Sequence, residues 1–185
     1  SWWDKKVEDL SKGMAQKLQF VATVAHQPTL IILDEPFSGL DPVNANLIKE
    51  EIFELARQGA TIIFSTHRME QVEEICDHII LVHEGKKILD GSVGQIKQEF
   101  KENIYRIGVA ESTAIESSAF YEVVRKEASS VWIRFSAGVA NNRVLEHLIQ
   151  QGINIESFNE VLPSLNDIFI SLVEGAAATR SFSKN

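Results

Sequence analysis

Cysteine is almost missing from this sequence. Cys76 stands alone among 185 residues, which excludes an internal disulfide, a Cys-rich zinc site and a CxxC redox pair. A single thiol fits a reducing compartment. Positive charge is also short. Lys and Arg number 18 against 26 Asp and Glu, a formal net charge of −8, which argues against a broad basic surface for nucleic acid. No apolar run approaches the ~18 residues that a membrane span needs. The strongest run, Leu30-Ile31-Ile32-Leu33, ends at Asp34. The opening Ser1-Trp2-Trp3-Asp4-Lys5-Lys6 has neither an initiator Met nor the apolar stretch of a signal peptide. It reads as the middle of a segment, so the chain is expected to be a piece of a longer one.

What is present is an ordinary globular composition. Apolar residues make up 44% and aromatics 8%, enough for a core, which excludes global disorder. The length allows one domain or two small ones. Residues 1–99 alternate helical and strand patterns. Ser11 caps an expected helix running to about Ala25, with Leu18, Val21, Ala22 and Ala25 on its apolar face. Leu30 to Leu33 reads as a fully buried parallel strand, because apolar residues follow one another without alternation. Asp41-Pro42 starts a helix, with a capping carboxylate and then proline at the first helical position. That helix carries Leu47, Ile48, Ile52, Leu55 and Ala56 and stops at Gly59. Thr61 to Ser65 is a second buried strand, Met69 to Cys76 a short helix and His78 to Val82 a third strand. Gly85-Lys86 turns a hairpin, and Ser92 starts another helix. This alternation predicts an α/β fold with a parallel sheet and crossover helices.

The pattern changes after Phe100. Tyr105, Ile107 and Val109 alternate with polar or small residues, as do Val131, Ile133 and Phe135, so each run predicts a strand with one wet face. A helix carries Val144, Leu145, Leu148 and Ile149 and ends at Gly152. A strand follows around Ile153, Ile155 and Phe158. After Pro163, Ser164 and Asp167 suggest a capping box for a last helix bearing Ile168, Phe169, Leu172 and Val173. Residues 100–175 are thus expected to form a small α+β domain, with a frayed tail at 176–185. Trp132 and Phe158 are candidates for an apolar dimerisation surface.

The feature richest in chemistry is Leu30-Ile31-Ile32-Leu33-Asp34-Glu35-Pro36. An apolar strand delivers two adjacent carboxylates at its C-terminal end, where open α/β sheets bind ligands. Carboxylate oxygens are the hard donors Mg²⁺ prefers, with water and phosphates completing the shell. A neighbouring carboxylate can orient an attacking water. Alone, such a pair more often caps a turn. Here Ser38-Gly39-Leu40-Asp41 follows at once, Ser65-Thr66-His67 ends the next strand, and Leu10-Ser11-Lys12-Gly13-Met14 precedes the first helix.

In this order the motifs resemble the ATP-binding subunit of ABC transporters, over residues 1 to about 99. Leu10 to Met14 is similar to the family's signature loop, usually Leu-Ser-Gly-Gly-Gln, and Gln16 and Lys17 sit where the family has Gln and Arg. Leu30 to Asp34 resembles the Walker B strand of a P-loop NTPase, Glu35 the catalytic glutamate, Ser38 to Asp41 the D-loop and His67 the switch histidine. The Ser-Lys-Gly-Met variant, with Pro163 to Phe169, resembles a subgroup carrying an added C-terminal domain. That subgroup serves multidrug, antibiotic or sodium exporters.

The resemblance implies roles. Asp34 would hold Mg²⁺ through water, and Glu35 would polarise the water that attacks the γ-phosphate. His67 would contact the γ-phosphate and fix Glu35. Ser11 and the Gly13 backbone would meet ATP bound on the opposite subunit, and Asp41 would sit at the dimer interface. The implied cofactors are ATP and Mg. The implied partners are a second ATP-binding subunit, as a homodimer, and a transmembrane permease, with no nucleic acid. The implied location is cytoplasmic, against the inner face of the membrane.

Two positions depart from the signature. Lys12 replaces a glycine and reads as a solvated charge or as an added positive charge near the phosphates. Met14 replaces a glutamine and cannot make its polar contacts. A larger departure is that no G-x-x-x-x-G-K-[ST] phosphate loop occurs in the 185 residues. The chain therefore reads as the rear part of an ATPase core, expected to be inactive by itself. Two other readings stay open: a non-catalytic interaction or dimerisation module, and a soluble ABC-type ATPase acting without a permease.

Overall fold

The computed structural model describes residues 6–110 and 115–174. The tail expected at 176–185 lies outside the described residues. The chain divides into two compact units, Ser1–Cys76 and Asp77–Asn185.

In the first unit a short 3-10 turn, Val7–Asp9, leads into α1 (Lys12–Val24). Ser11 caps α1 by accepting from the Met14 amide, which satisfies one of the free N–H groups at a helix start. β1 (Leu30–Asp34) and β2 (Thr61–Ser65) pair in parallel, from Leu30 opposite Thr61 to Asp34 opposite Ser65. α2 (Pro42–Arg57) crosses between them and α3 (Met69–Ile75) follows β2. As expected, Asp41 caps α2, Pro42 is its first residue, and the chain turns at Gly59.

Three expectations for this unit need correction. The buried face of α1 belongs to Phe20, packed with Ile31, Leu33, Phe37, Ile48 and Ile52. Leu18 and Val21, assigned to that face, are 45% and 56% exposed. Phe20 is the bulkiest apolar residue of the helix, and its burial sets the rotation. Neither β1 nor β2, both expected to be buried strands, is fully buried. Ile31 and Leu33 face the core, while Leu30 and Ile32 are 52% and 68% exposed. The helices cover one face of the strand pair, so a run without alternation still buries only every second residue. Finally, the parallel sheet has two strands, and the third strand pairs elsewhere.

That third strand opens the second unit. β3 (His78–His83) pairs antiparallel with β4 (Lys86–Ser92) through the expected turn. Glu84 and Gly85 both have positive φ, 48° and 73°, the geometry whose twist matches two antiparallel strands. Ser92 caps α4 (Val93–Glu99) as expected. β5 (Ile104–Val109), β6 (Tyr121–Glu127), β7 (Ser130–Phe135) and β8 (Ile155–Val161) form an antiparallel sheet in the order β6-β7-β5-β8. β6 escaped the sequence reading because a bulge between Val123 and Arg125 breaks its alternation. α5 (Asn141–Gln150) buries Val144 and Leu148 in the core with Tyr105, Ile107, Tyr121, Val131 and Ile133. α6 (Leu165–Val173) starts with the capping box, Ser164 and Asp167 bonding each other's amides.

Trp132 and Phe158 do not form an open apolar surface. Phe158 stacks on Tyr105 with ring centroids 4.9 Å apart. Trp132 has two guanidinium groups over its ring, Arg106 at 5.4 Å and Arg125 at 4.9 Å, contacts that are electrostatically favourable. Among the described residues, no helix is long and apolar enough to cross a membrane.

Candidate functional site

The parallel register brings the chemistry together. With Asp34 opposite Ser65, the next residues of both strands, Glu35 and Thr66, leave the sheet side by side. The Glu35 amide still donates to the Ser65 carbonyl at 2.9 Å, and the Ser38 amide to the Glu35 carbonyl at 3.0 Å. Glu35 itself has φ +45°, a conformation disfavoured for a residue with a Cβ and often found where geometry serves function. Buried Pro36 and Phe37 anchor the turn behind it, Phe37 meeting Phe64 edge-on at 6.2 Å.

This turn aims the Glu35 carboxylate at the end of β2. Oε1 accepts from the His67 amide at 3.0 Å and lies 2.6 Å from His67 Nδ1. Oε2 accepts from the Thr66 hydroxyl at 3.1 Å. Burial pushes the Glu35 carboxyl up, but the His67 amide, the His67 ring and the Thr66 hydroxyl outweigh it, and the group sits below the ordinary carboxylate range. Glu35 is therefore held as an anion and an acceptor. The His67 side chain is 81% exposed, so its far ring edge is open to a ligand. Asp34 is exposed at the strand end, with Oδ1 taken by the Ser65 hydroxyl at 2.5 Å.

Ser11, Gly13 and Asp41 belong to a second grouping, where α1 starts beside the loop leading to α2. A Cβ on Gly13 would lie 3.2 Å from the Gly39 carbonyl oxygen, so the first turn of α1 touches that loop. Gly39 has φ +75°, and a Cβ on it would come within 3.0 Å of the Lys12 methylenes. The Lys12 stem lies over Gly39 while the residue stays exposed, which is compatible with a solvated charge. Asp41 Oδ1 accepts from the Val43 and Asn44 amides at 3.1 Å each, and Asn44 Nδ2 donates to Oδ2. The Asn44 amide and side chain hold the Asp41 carboxyl below its usual range.

Residues between the motifs tie them together. Lys17 Nζ donates to Asn44 Oδ1 at 2.9 Å, linking α1 to the Asp41 cap. Gln16 Nε2 donates to the Pro36 carbonyl at 3.4 Å, linking α1 to the turn that carries Glu35. Sequence reasoning placed Gln16 and Lys17 by resemblance but assigned them no role. It left Ser65 and Thr66 out of the site altogether. The signal for them was two hydroxyl residues ahead of His67, at the same spacing from Asp34 and Glu35.

Known proteins bear on both units. Residues 91–173 match the family model of the ATP-binding protein DrrA1-3-like C-terminal domain. Residues 6–71 match a model described as an AAA domain, putative AbiEii toxin, type IV toxin–antitoxin system. An uncharacterized ABC transporter ATP-binding protein of Alkalihalophilus pseudofirmus is 38% identical over 175 residues, 94% of this chain and 65% of its own length. The uncharacterized ABC transporter ATP-binding protein YhaQ of Bacillus subtilis is 40% identical over 171 residues, 92% of this chain and 57% of its own. The daunorubicin/doxorubicin resistance ATP-binding protein DrrA of Streptomyces peucetius is 25% identical over 186 residues, 96% of this chain and 56% of its own. This chain therefore spans less than two thirds of each of these relatives. With the α/β core and motif order described above, these matches establish that the chain belongs to the ATP-binding proteins of ABC transporters.

Proposed function

We propose that the chain carries the hydrolytic and partner-facing residues of an ATP-hydrolysing subunit that drives export through a membrane permease. One observation carries this reading. A carboxylate, Glu35, is fixed by the His67 amide and ring directly after the exposed carboxylate of Asp34.

Asp34 fits a role at Mg²⁺. Ser65 engages one of its oxygens and the side chain is exposed. Among the described residues, no three His, Cys, Asp or Glu side chains gather to hold a metal. A cation at Asp34 would complete its shell with water and phosphate oxygens, as Mg²⁺ commonly does. Bound Mg-ATP supplies the phosphoryl group and offsets the charge on its oxygens. Glu35, held as an anion, orients and polarises the attacking water. His67 keeps Glu35 in place and turns its exposed ring edge to the γ-phosphate. Ser11 and the Gly13 amide meet the γ-phosphate of the opposite subunit, where a helix start favours anions. Asp41 sits at the subunit interface and caps α2 as well.

The partners are a second ATP-binding subunit and a permease, with no nucleic acid, and the location is the cytoplasmic face of the membrane. The likeness to a drug-resistance ATP-binding protein supports the exporter assignment. Functionally, residues 1–99 form the ATPase part and 100–175 the accessory part, whereas the compact units meet earlier, at Cys76 and Asp77.

Two measurements test the reading. Behind a phosphate loop, Glu35→Gln lowers turnover by about 10²-fold or more, the share general-base catalysis supplies, and leaves nucleotide binding intact. Turnover near wild type removes Glu35 from its role. The 185 residues hold no phosphate loop, so by themselves they bind Mg-ATP very weakly. Micromolar affinity by titration calorimetry overturns that expectation.

A further inference from the structure

We propose that Thr66 is a positioning residue for the reaction, its hydroxyl locking the Glu35 carboxylate in the orientation that His67 shares. The inference rests on the reading of Glu35 given above and adds a residue which that reading does not use.

The geometry defines the direction of the Thr66 proton. Thr66 Oγ1 accepts from the Arg68 amide at 3.2 Å, which occupies a lone pair and leaves the hydroxyl proton to be donated elsewhere. Its proton has two acceptors in reach, Glu35 Oε2 at 3.1 Å and Gln71 Oε1 at 3.4 Å. The carboxylate is nearer and charged, and hydrogen bonds to charged acceptors are the stronger kind. His67 contacts only Oε1. Bonds to one oxygen alone let the carboxylate pivot about that oxygen as the side-chain torsions shift. The Thr66 bond to Oε2 removes that freedom, so both oxygens are fixed before any water arrives. Ser65 makes the matching bond to Asp34 Oδ1 from the preceding position. Three consecutive residues at the end of β2 therefore hold both acidic residues at the end of β1.

A positioned group matters because a reacting geometry lost to rotation costs rate without costing affinity. The test compares Thr66→Val, Thr66→Ser and Glu35→Gln in the ATPase that carries this chain behind a phosphate loop. Thr66→Val keeps the branched shape and loses the donor. It lowers kcat about tenfold or more, in line with loss of a hydrogen bond to a charged group, with KM for ATP changed less than about twofold. Thr66→Ser restores the donor and brings kcat back to within about threefold of wild type. Equal kcat for Thr66→Val and wild type, beside a dead Glu35→Gln, overturns the Thr66 role alone. An active Glu35→Gln overturns the reading beneath it.

A readout without turnover uses the 185-residue chain. Thr66→Val and Glu35→Ala are combined in a double-mutant cycle by urea unfolding. The bond predicts coupling of about threefold or more in the unfolding constant, and additive effects overturn it. Should Thr66→Val fail to fold, Thr66→Ala enters the same kinetic comparison and the same cycle.

Discussion

The two sheets of this chain treat apolar residues in opposite ways. In the four-stranded sheet β6-β7-β5-β8, the apolar residues picked out by alternation in β5 and β7 are all buried. Ile107 and Ile133 are fully buried, as are Val144 and Leu148 of the helix packed on them, while Arg106, between Tyr105 and Ile107, stays exposed. In the parallel pair β1-β2 the strands are apolar on both faces, yet Leu30, Ile32 and Ile63 are 52%, 68% and 54% exposed. The antiparallel sheet covers the apolar face that its pattern marks. The parallel pair is built for two dry faces and has one. What β1-β2 does provide is its ends, where Asp34 and Glu35 meet Ser65, Thr66 and His67.

The largest stability effect that sharpens this contrast lies in the second unit. Leu148→Ala and Ile133→Val remove buried methyl groups from a core with no exposure at either site. Leu148→Ala is expected to cost about 2–5 kcal/mol and Ile133→Val about 0.5–1.5 kcal/mol by urea unfolding followed by circular dichroism. A cost below about 1 kcal/mol for Leu148→Ala means that α5 does not complete this core.

Caps come next, because both units use them. Ser164→Ala removes one half of the capping box at α6 and is expected to cost about 1 kcal/mol. Asp41→Ala removes the acceptor of the Val43 and Asn44 amides. The folded state holds Asp41 below its usual range, so its contribution is present above the unfolded carboxylate value. It is lost as pH falls through the lower folded value. Thermal melts of Asp41→Ala should therefore show a lower Tm at neutral pH and a smaller drop on acidification than wild type. An unchanged drop on acidification removes Asp41 from that account.

The same contrast explains what the sequence made legible. Asp34, Glu35, Asp41 and His67 stand out because chemistry punctuates the chain there: carboxylates or an imidazole directly after an apolar strand, and an Asp-Pro at a helix start. The Ser164 box and the Glu84-Gly85 turn depend on three or four neighbouring residues and are equally local. The exposure of Ile32 is different. It depends on what lies against the strand, and the strand's own pattern carries no record of that. Phe20, and not Leu18, faces the core for a related reason, since bulk rather than apolar count sets the rotation of α1. The β6 bulge hides its strand by slipping the alternation one place. Ser65 and Thr66 require the register of β1 with β2, and register is tertiary information.

The smallest expected effect tests the comparison most sharply. Ile32 and Ile133 are both isoleucines in mid-strand, one 68% exposed and one at 0%. Polar replacement separates an apolar residue that is stabilising from one that is only patterned. Ile32→Thr keeps the β-branched shape that suits a strand and adds a hydroxyl that water can satisfy. In the 185-residue chain it is expected to change stability by less than about 0.5 kcal/mol. Ile133→Thr buries that hydroxyl among Tyr105, Val131 and Leu148, where an unpaired polar group costs about 1–3 kcal/mol on top of the lost methyl. Urea unfolding of both variants measures the difference directly. Equal losses would mean that the open face of β1 is covered in solution, and the two sheets would then follow one rule.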